Sequence, residues 1–230
     1  MSEQAWGHGG LRGWGPYELM LREHAQERFV SAIRSTLLQL NSAWNFDRVE
    51  GPILMPRSFI SPSYDGDDVW LLQAKLGEDE AVLRPETTAY SYEAAKTLLM
   101  RGDRKMPLCV WQVGKSFRRE QSDGATAAKL RFYEFTQLEF QCLYSPRTLA
   151  DYRSAVVEQM YNTIASLTHL STRFVTSDRL PSYSTKTEDV EVEWNGRWTE
   201  MCSISDRTDY PDAKVLEVAI GLDRIVSCHG

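Results

Sequence analysis

The residues of this chain best suited to chemistry stand together in Phe117-Arg118-Arg119-Glu120, where a β-type stretch meets a small, polar segment. Side chains alternate across a strand, so Arg118 and Glu120 share one face and Arg119 takes the other. A guanidinium fork fits a phosphate or a carboxylate. A neighbouring glutamate can hold that fork or accept from the amino group of a base. An exposed ion pair on a sheet answers to the same triplet, so the segments around it must decide. Other reactive types offer less. His8, His24, His169 and His229 lack metal-ligand spacing and read as ordinary surface or helix residues. Cys109, Cys142, Cys202 and Cys228 form no CxxC pair and read as buried or free thiols. The glycine-rich start follows no strand and has no Lys-Ser/Thr, so it is no phosphate loop. The seven tryptophans read as core and hydrophobic surface and not as a base-stacking platform.

The elements that must position Arg118 and Glu120 follow from periodicity. Pro16 suits the first position of a helix running from Tyr17 to about Trp44, with Phe29, Ile33, Leu37 and Leu40 on one face. Residues 46–56 read as one extended strand ending at a proline. A second helix is predicted over 85–101, closed by Gly102. Residues 108–118 and 130–143 are rich in β-branched and aromatic types and read as two antiparallel strands joined by a long flexible loop. Residues 146–168 read as a helix burying Leu149, Val156, Met160 and Ile164. Asn195-Gly196 marks a hairpin between strands at 189–194 and 197–205. A last strand covers 215–220, and Gly221 opens a short helix. Elements of one kind come in blocks, which gives an α+β class: an antiparallel sheet flanked by helices. No repeat or low-complexity linker breaks the chain, so residues 1–230 are expected to form a single domain.

Composition sets outer bounds. With 42% hydrophobic and 11% aromatic residues in 230, a core can be buried and disorder throughout is excluded. Twenty-six Lys+Arg against 32 Asp+Glu give a net charge of −6, so no global basic field draws in nucleic acid and any RNA contact is local. There is neither a secretory-type leader nor an apolar run long enough to span a bilayer, and a cytoplasmic setting is expected.

Several segments carry a resemblance. Residues Gly114 to Glu120, then a loop, then Arg131-Phe132-Tyr133-Glu134-Phe135-Thr136-Gln137-Leu138-Glu139 resemble motif 2 of the class II aminoacyl-tRNA synthetases, closest to the glycyl type. Residues 46–56, after a long helix, resemble motif 1. Gly221-Leu222-Asp223-Arg224, after Leu216-Glu217-Val218-Ala219-Ile220, is similar to motif 3. Leu83-Arg84-Pro85-Glu86-Thr87 matches the LRPET segment of glycyl enzymes, and Asp189-Val190-Glu191, Trp198-Thr199-Glu200 and Ser205-Asp206-Arg207 resemble their WDxE, WxE and ADR region. The order of these matches is the family's order.

The resemblance implies a class II catalytic core that uses ATP and Mg²⁺ to convert a small amino acid, by inference glycine, into an aminoacyl-adenylate. Such chemistry depends on positioning and charge neutralisation. It maps Arg118 onto the arginine gripping the α-phosphate and substrate carboxylate, and Glu120 onto the carboxylate facing the adenine amino group. Phe135 and Arg224 become the two sides of an adenine clamp, and Lys129 and Arg131 supply charge for pyrophosphate. Asp189, Glu191, Glu200 and Glu217 are the candidates for Mg²⁺, Glu200 and Glu217 foremost, with solvated sheet-face charges as the other reading. Glu86, Glu139 and Glu217 take the positions that hold the amino-acid ammonium. The family's motif 3 reads glutamate-proline-serine where this chain has Glu217-Val218-Ala219, so Ala219 leaves room for alanine or another small amino acid. The chain stops at Gly230, soon after Arg224, so no anticodon-binding domain is expected. The acyl acceptor is then a tRNA end bound locally or another molecule. A homodimer through residues near 29 to 56 is implied as well. Two other roles fit the same fold: a non-catalytic paralogue serving as a binding or polymerase-accessory subunit, and a sensor of ATP or amino acid.

Overall fold

A computed structural model describes residues 7–8, 11–62, 64, 66–119, 125–178 and 180–229. After two short strands, β1 (Gly7–His8) and β2 (Leu11–Arg12), Pro16 opens helix α1 (Pro16–Leu40), and the Glu18 carboxylate accepts from the Gly15 amide at 2.8 Å. Phe29, Ile33 and Leu37 line its buried face, as the spacing predicts, whereas Leu40 at the end of the helix is exposed. The helix stops at Leu40 instead of Trp44. The Asn41 side chain accepts from the Ala43 amide at 2.9 Å, a local bond that competes with the next helical turn. Trp44 is thereby freed to pack on Tyr144 and Tyr152.

The stretch expected as one strand over 46–56 divides into β3 (Asn45–Arg48) and β4 (Leu54–Pro56), which belong to different sheets. The chain turns between them at Gly51, where a Cβ would lie 2.4 Å from the Tyr90 ring. A 3₁₀ turn (Arg57–Phe59) precedes β5 (Trp70–Leu76) and β6 (Asp79–Leu83), which join β4 in a small sheet of order β4-β6-β5. Helix α2 (Thr88–Met100) begins three residues later than predicted, and Gly102 closes it at φ +73°.

Strands β7 (Leu108–Phe117) and β8 (Glu134–Tyr144) pair antiparallel, as expected. Helix α3 (Tyr152–Thr168) starts well after Pro146, because Asp151 caps it by accepting from the Ser154 amide at 3.0 Å. Val156, Met160 and Ile164 are buried, but Leu149 falls outside the helix and is fully exposed, against its predicted place on the buried face. Strands β9 (Thr172–Thr176), β10 (Ser184–Trp194), β11 (Arg197–Arg207) and β12 (Lys214–Gly221) follow, then helix α4 (Leu222–Cys228). Asn195 and Gly196, both at positive φ, make the tight turn between β10 and β11.

The large sheet has the order β3-β7-β8-β12-β11-β10-β9, antiparallel except for β3 against β7. Helices α1, α3 and α4 cover one face around Phe29, Ile33, Leu138, Phe140, Met160, Ile164, Val218 and Ile220. Period-2 alternation sends the intervening residues of β8 and β12 to the opposite face, where α2 covers part of the surface. That second face holds the polar residues. All four cysteines are buried thiols, as expected.

Candidate active site

Cross-strand register lines up Gln112, Glu139, Ala219, Ser203 and Asp189 in one row across five strands. Gln141, Glu217, Ser205 and Thr187 form the next row. Burying this many polar groups is tolerable only if most are bonded to one another, and among the described residues Gln141 Oε1 and Asp189 Oδ1 are the side-chain atoms of these rows left without a partner. Glu139 accepts from the hydroxyls of Thr87 (2.9 Å), Thr88 (2.8 Å) and Ser91 (3.0 Å) at the start of α2, and from Gln141 Nε2 (2.7 Å). Glu217 accepts from Gln141 Nε2 (2.8 Å), Tyr183 Oη (3.1 Å) and Arg207 Nη1 (2.6 Å). Arg207 also forks onto Asp209 and lies between the Tyr92 and Tyr183 rings.

Glu86, the third acid implied for the ammonium, approaches from the segment between β6 and α2 and accepts from Tyr64 Oη at 2.8 Å. Burial, with the Glu217 charge second, raises its pKa. Burial followed by the charges of Glu217 and Glu86 pushes Glu139 up to about 8. The three carboxylates implied for one ammonium therefore do converge, from the β6–α2 segment, β8 and β12.

Arg118 lies just past β7, held by a Tyr133 carbonyl bond to its amide. Its Nε donates to the Pro85 carbonyl (3.2 Å) and its Nη2 to Tyr64 Oη (3.0 Å). The guanidinium sits 5.2 Å from the Phe135 ring centre and 5.5 Å from that of Tyr64. Glu120 lies outside the described residues. Lys129 ends the 3₁₀ turn Ala127–Lys129, Arg131 follows it, and both side chains are exposed. Arg224, in the first turn of α4, donates to the carbonyls of Leu130 (3.0 Å) and Glu200 (2.6 Å) and stands 3.7 Å from the Glu200 carboxylate.

The metal assignment needs correction. Val190 faces Cys202 while Glu191 faces Glu200, so Met201 is an extra residue in β11. Met201 and Cys202 both enter the core, and Glu200 is turned to the site face beside Glu191 and diagonal to Asp189. Glu217 lies roughly 13 Å further along the strands and is bound to Arg207, so Glu200 and Glu217 do not share one ion. Asp189 is 7% exposed, and its Oδ1 has no hydrogen-bond partner. Burial, then the Glu200 charge, raises its pKa to about 6. Two carboxylates beside bound phosphates suit Mg²⁺, which keeps one or two protein ligands. Glu191 is taken by Arg173 at 2.7 Å. Among the described residues no three His, Cys, Asp or Glu side chains cluster as a metal cage.

Tyr64, Gln141, Tyr183 and the buried role of Arg84 are not singled out by the sequence. The Arg84 guanidinium binds the carbonyls of Lys115 (2.7 Å), Gly51 (2.8 Å) and Pro52 (3.1 Å), which braces β7 against the turn after β3. Its only sequence signal is its place in Leu83-Arg84-Pro85-Glu86-Thr87, and Tyr64 offers none.

The tRNA synthetase class II core domain (G, H, P, S and T) family model matches residues 71–227, and the chain belongs to that family. Among curated relatives, it is 34% identical over 137 residues to the glycine–tRNA ligase of Clostridium tetani (strain Massachusetts / E88), covering 58% of this chain and 29% of that protein. It is 31% identical over 141 residues to the enzyme of the same name from Clostridium beijerinckii (strain ATCC 51743 / NCIMB 8052), covering 60% and 30%. The chain thus spans under a third of the length of these relatives. Solved structures of similar fold include prolyl-tRNA synthetase from Cryptosporidium parvum complexed with halofuginone and AMPPNP, with TM-score 0.73, 14% identity and coverage of 98% of this chain and 48% of that one. The Giardia lamblia prolyl-tRNA synthetase in complex with prolyl-adenylate gives TM-score 0.69, 15% identity and coverage of 97% and 48%.

Proposed function

We propose that the chain activates glycine with ATP and passes the glycyl group to a tRNA 3′ end. A carboxylate oxygen of glycine attacks the α-phosphorus, the bond to the bridging oxygen of the β-phosphate breaks, and pyrophosphate leaves with that oxygen. Arg118 holds the glycine carboxylate and the α-phosphate, offsetting the charge shared between them in the transition state. Phe135 and Arg224 take the adenine, Glu120 its amino group, and Lys129 and Arg131 the departing pyrophosphate. Asp189 and Glu200 would hold Mg²⁺, which neutralises phosphate charge when bound. Glu86, Glu139 and Glu217 take the ammonium, and half-buried Ala219, between Glu139 and Ser203, leaves room for alanine or another small amino acid. The chain acts as a cytoplasmic homodimer, pairing through α1 and the edge strand β3, near which Leu40, Ile53 and Leu54 are exposed.

One observation carries this reading. Three buried carboxylates, Glu86, Glu139 and Glu217, lie with a half-buried Arg118 that Tyr64 links to Glu86, an arrangement complementary to a small zwitterion. Pyrophosphate exchange into ATP, run with each amino acid in turn, tests it. Glycine should support the fastest exchange, and Arg118→Ala should abolish it with an unchanged melting curve. Exchange with no amino acid would sink the proposal, and ATP binding without exchange would leave a sensor. Alanine preferred over glycine would trace to Ala219.

A further inference from the structure

Tyr64, between the 3₁₀ turn and β5 in the chain, is anchored by residues of the small sheet and its surroundings. The Tyr64 carbonyl accepts from Arg57 Nη2 at 2.5 Å, its amide donates to the Ser61 carbonyl at 3.1 Å, and its ring packs with Met55, Ile60, Val69 and Val82. Nothing in that anchoring requires its hydroxyl to enter the acid cluster. Yet the hydroxyl accepts from Arg118 Nη2 at 3.0 Å and donates to Glu86 Oε2 at 2.8 Å. Burial raises the phenol pKa well above its usual value, so the hydroxyl keeps its proton and remains a donor to Glu86.

One oxygen therefore does the work of two groups. Toward Arg118 it is an acceptor, the role of a substrate carboxylate, and toward Glu86 it is a donor, the role of a substrate ammonium. We propose that Tyr64 is a substrate-mimicking gate: its hydroxyl holds Arg118 and Glu86 in the empty site, and an amino acid binds by displacing it. This rests on the amino-acid site assigned above. A zwitterion carries the acceptor and donor on separate atoms bearing full charges, so it makes two charge-assisted bonds where the phenol makes two weaker ones. A molecule with only one of the two groups replaces only one of the two bonds that the hydroxyl gives up, at Arg118 or at Glu86, so the gate selects free amino acids over amines and simple carboxylic acids.

Tyr64→Phe removes the hydroxyl and keeps the ring. The empty site then loses both bonds while the occupied site loses none, so glycine should bind about tenfold more tightly. Calorimetric titration of the full chain with glycine reads this directly. In pyrophosphate exchange the KM for glycine should fall by a similar factor, with the KM for ATP unchanged. The variant should also gain weak binding of methylamine or acetate, which the parent chain rejects. Equal, weaker or undetectable glycine binding in Tyr64→Phe would overturn the gate and make Tyr64 a substrate ligand or a bystander. If the parent chain binds glycine without exchange, the activation proposal fails while the titration still decides the gate.

Discussion

Glu139 allows a test of the charge balance in the site. Glu217 is bound to Arg207, and Glu86 reaches Arg118 through Tyr64, whereas the hydrogen bonds to Glu139 all come from neutral donors. Burial and its two acidic neighbours raise its pKa to about 8. In the empty site at pH 7 the group is then about nine-tenths protonated, and an arriving ammonium must expel that proton. Glycine stays a zwitterion from pH 5 to 8, so the change belongs to the protein. Glycine affinity should rise about tenfold between pH 6 and pH 7 and level off above about pH 8, each unit being worth about 1.4 kcal/mol. Calorimetry in buffers of unlike ionisation heat should show nearly one proton released per glycine at pH 7. Glu139→Gln should abolish both the release and the pH dependence. The empty chain has a matching signature: a carboxyl raised from 4.5 to about 8 binds its proton more tightly when folded, so its stabilising share is complete below about 4.5 and is lost as pH rises through 8. No proton release in the parent chain, with affinity flat from pH 6 to 8, would refute the reasoning.

Two further outcomes test the neighbouring assignments. Arg207→Met leaves Glu217 buried without its cation and should cost about 3–5 kcal/mol in urea unfolding, part of which a second change, Glu217→Gln, restores; a loss under about 1 kcal/mol would mean the pair is screened. Asp189→Asn should raise the Mg²⁺ concentration for half-maximal exchange about tenfold, while Glu191→Gln, whose partner is Arg173, leaves it nearly unchanged; equal effects from the two would contradict the placement of the metal.

Where burial follows a simple period, the sequence shows the element. Helix α1 buries one continuous stripe, β8 is a long run of buried apolar and polar residues rich in β-forming types, and the β10–β11 hairpin turns at the one Asn-Gly pair. Strand β5 has no such pattern, because every residue from Trp70 to Leu76 is exposed and Trp70, Leu71 and Leu72 run together. Its place in a second sheet depends on pairing with β6, which no local pattern encodes. Edge strand β9 has few buried positions to betray it. The site divides in the same way. Arg118, Glu86, Glu139 and Glu217 stand in segments with distinctive local sequence, so their importance is readable before their geometry. The groups that make those charges tolerable are joined by register and not by spacing along the chain. Arg84 needs Gly114 to pass, since a Cβ there would lie 2.0 Å from its Nη2, and that dependence spans two strands.

Strand β11 shows how a single residue can mislead a correct chemical reading. Strict alternation from Ser205, which faces Glu217, assigns Ser203, Met201 and Thr199 to the site and sends Glu200 into the core. A buried, unpaired glutamate there would be untenable, whereas Met201 in the core is favourable. The bulge resolves the conflict by placing Met201 and Cys202 side by side in the core and returning Glu200 to the polar face. It also rotates Trp198 to that face, where the Arg173 guanidinium lies 4.1 Å from its ring. Glu200 thereby joins Asp189 at the Arg224 end of the sheet, and Glu217 remains with Arg207 at the other. The acids that the sequence groups by type are thus separated by register into two clusters, Asp189 with Glu200 near Arg224 and Glu139 with Glu217 near Arg207.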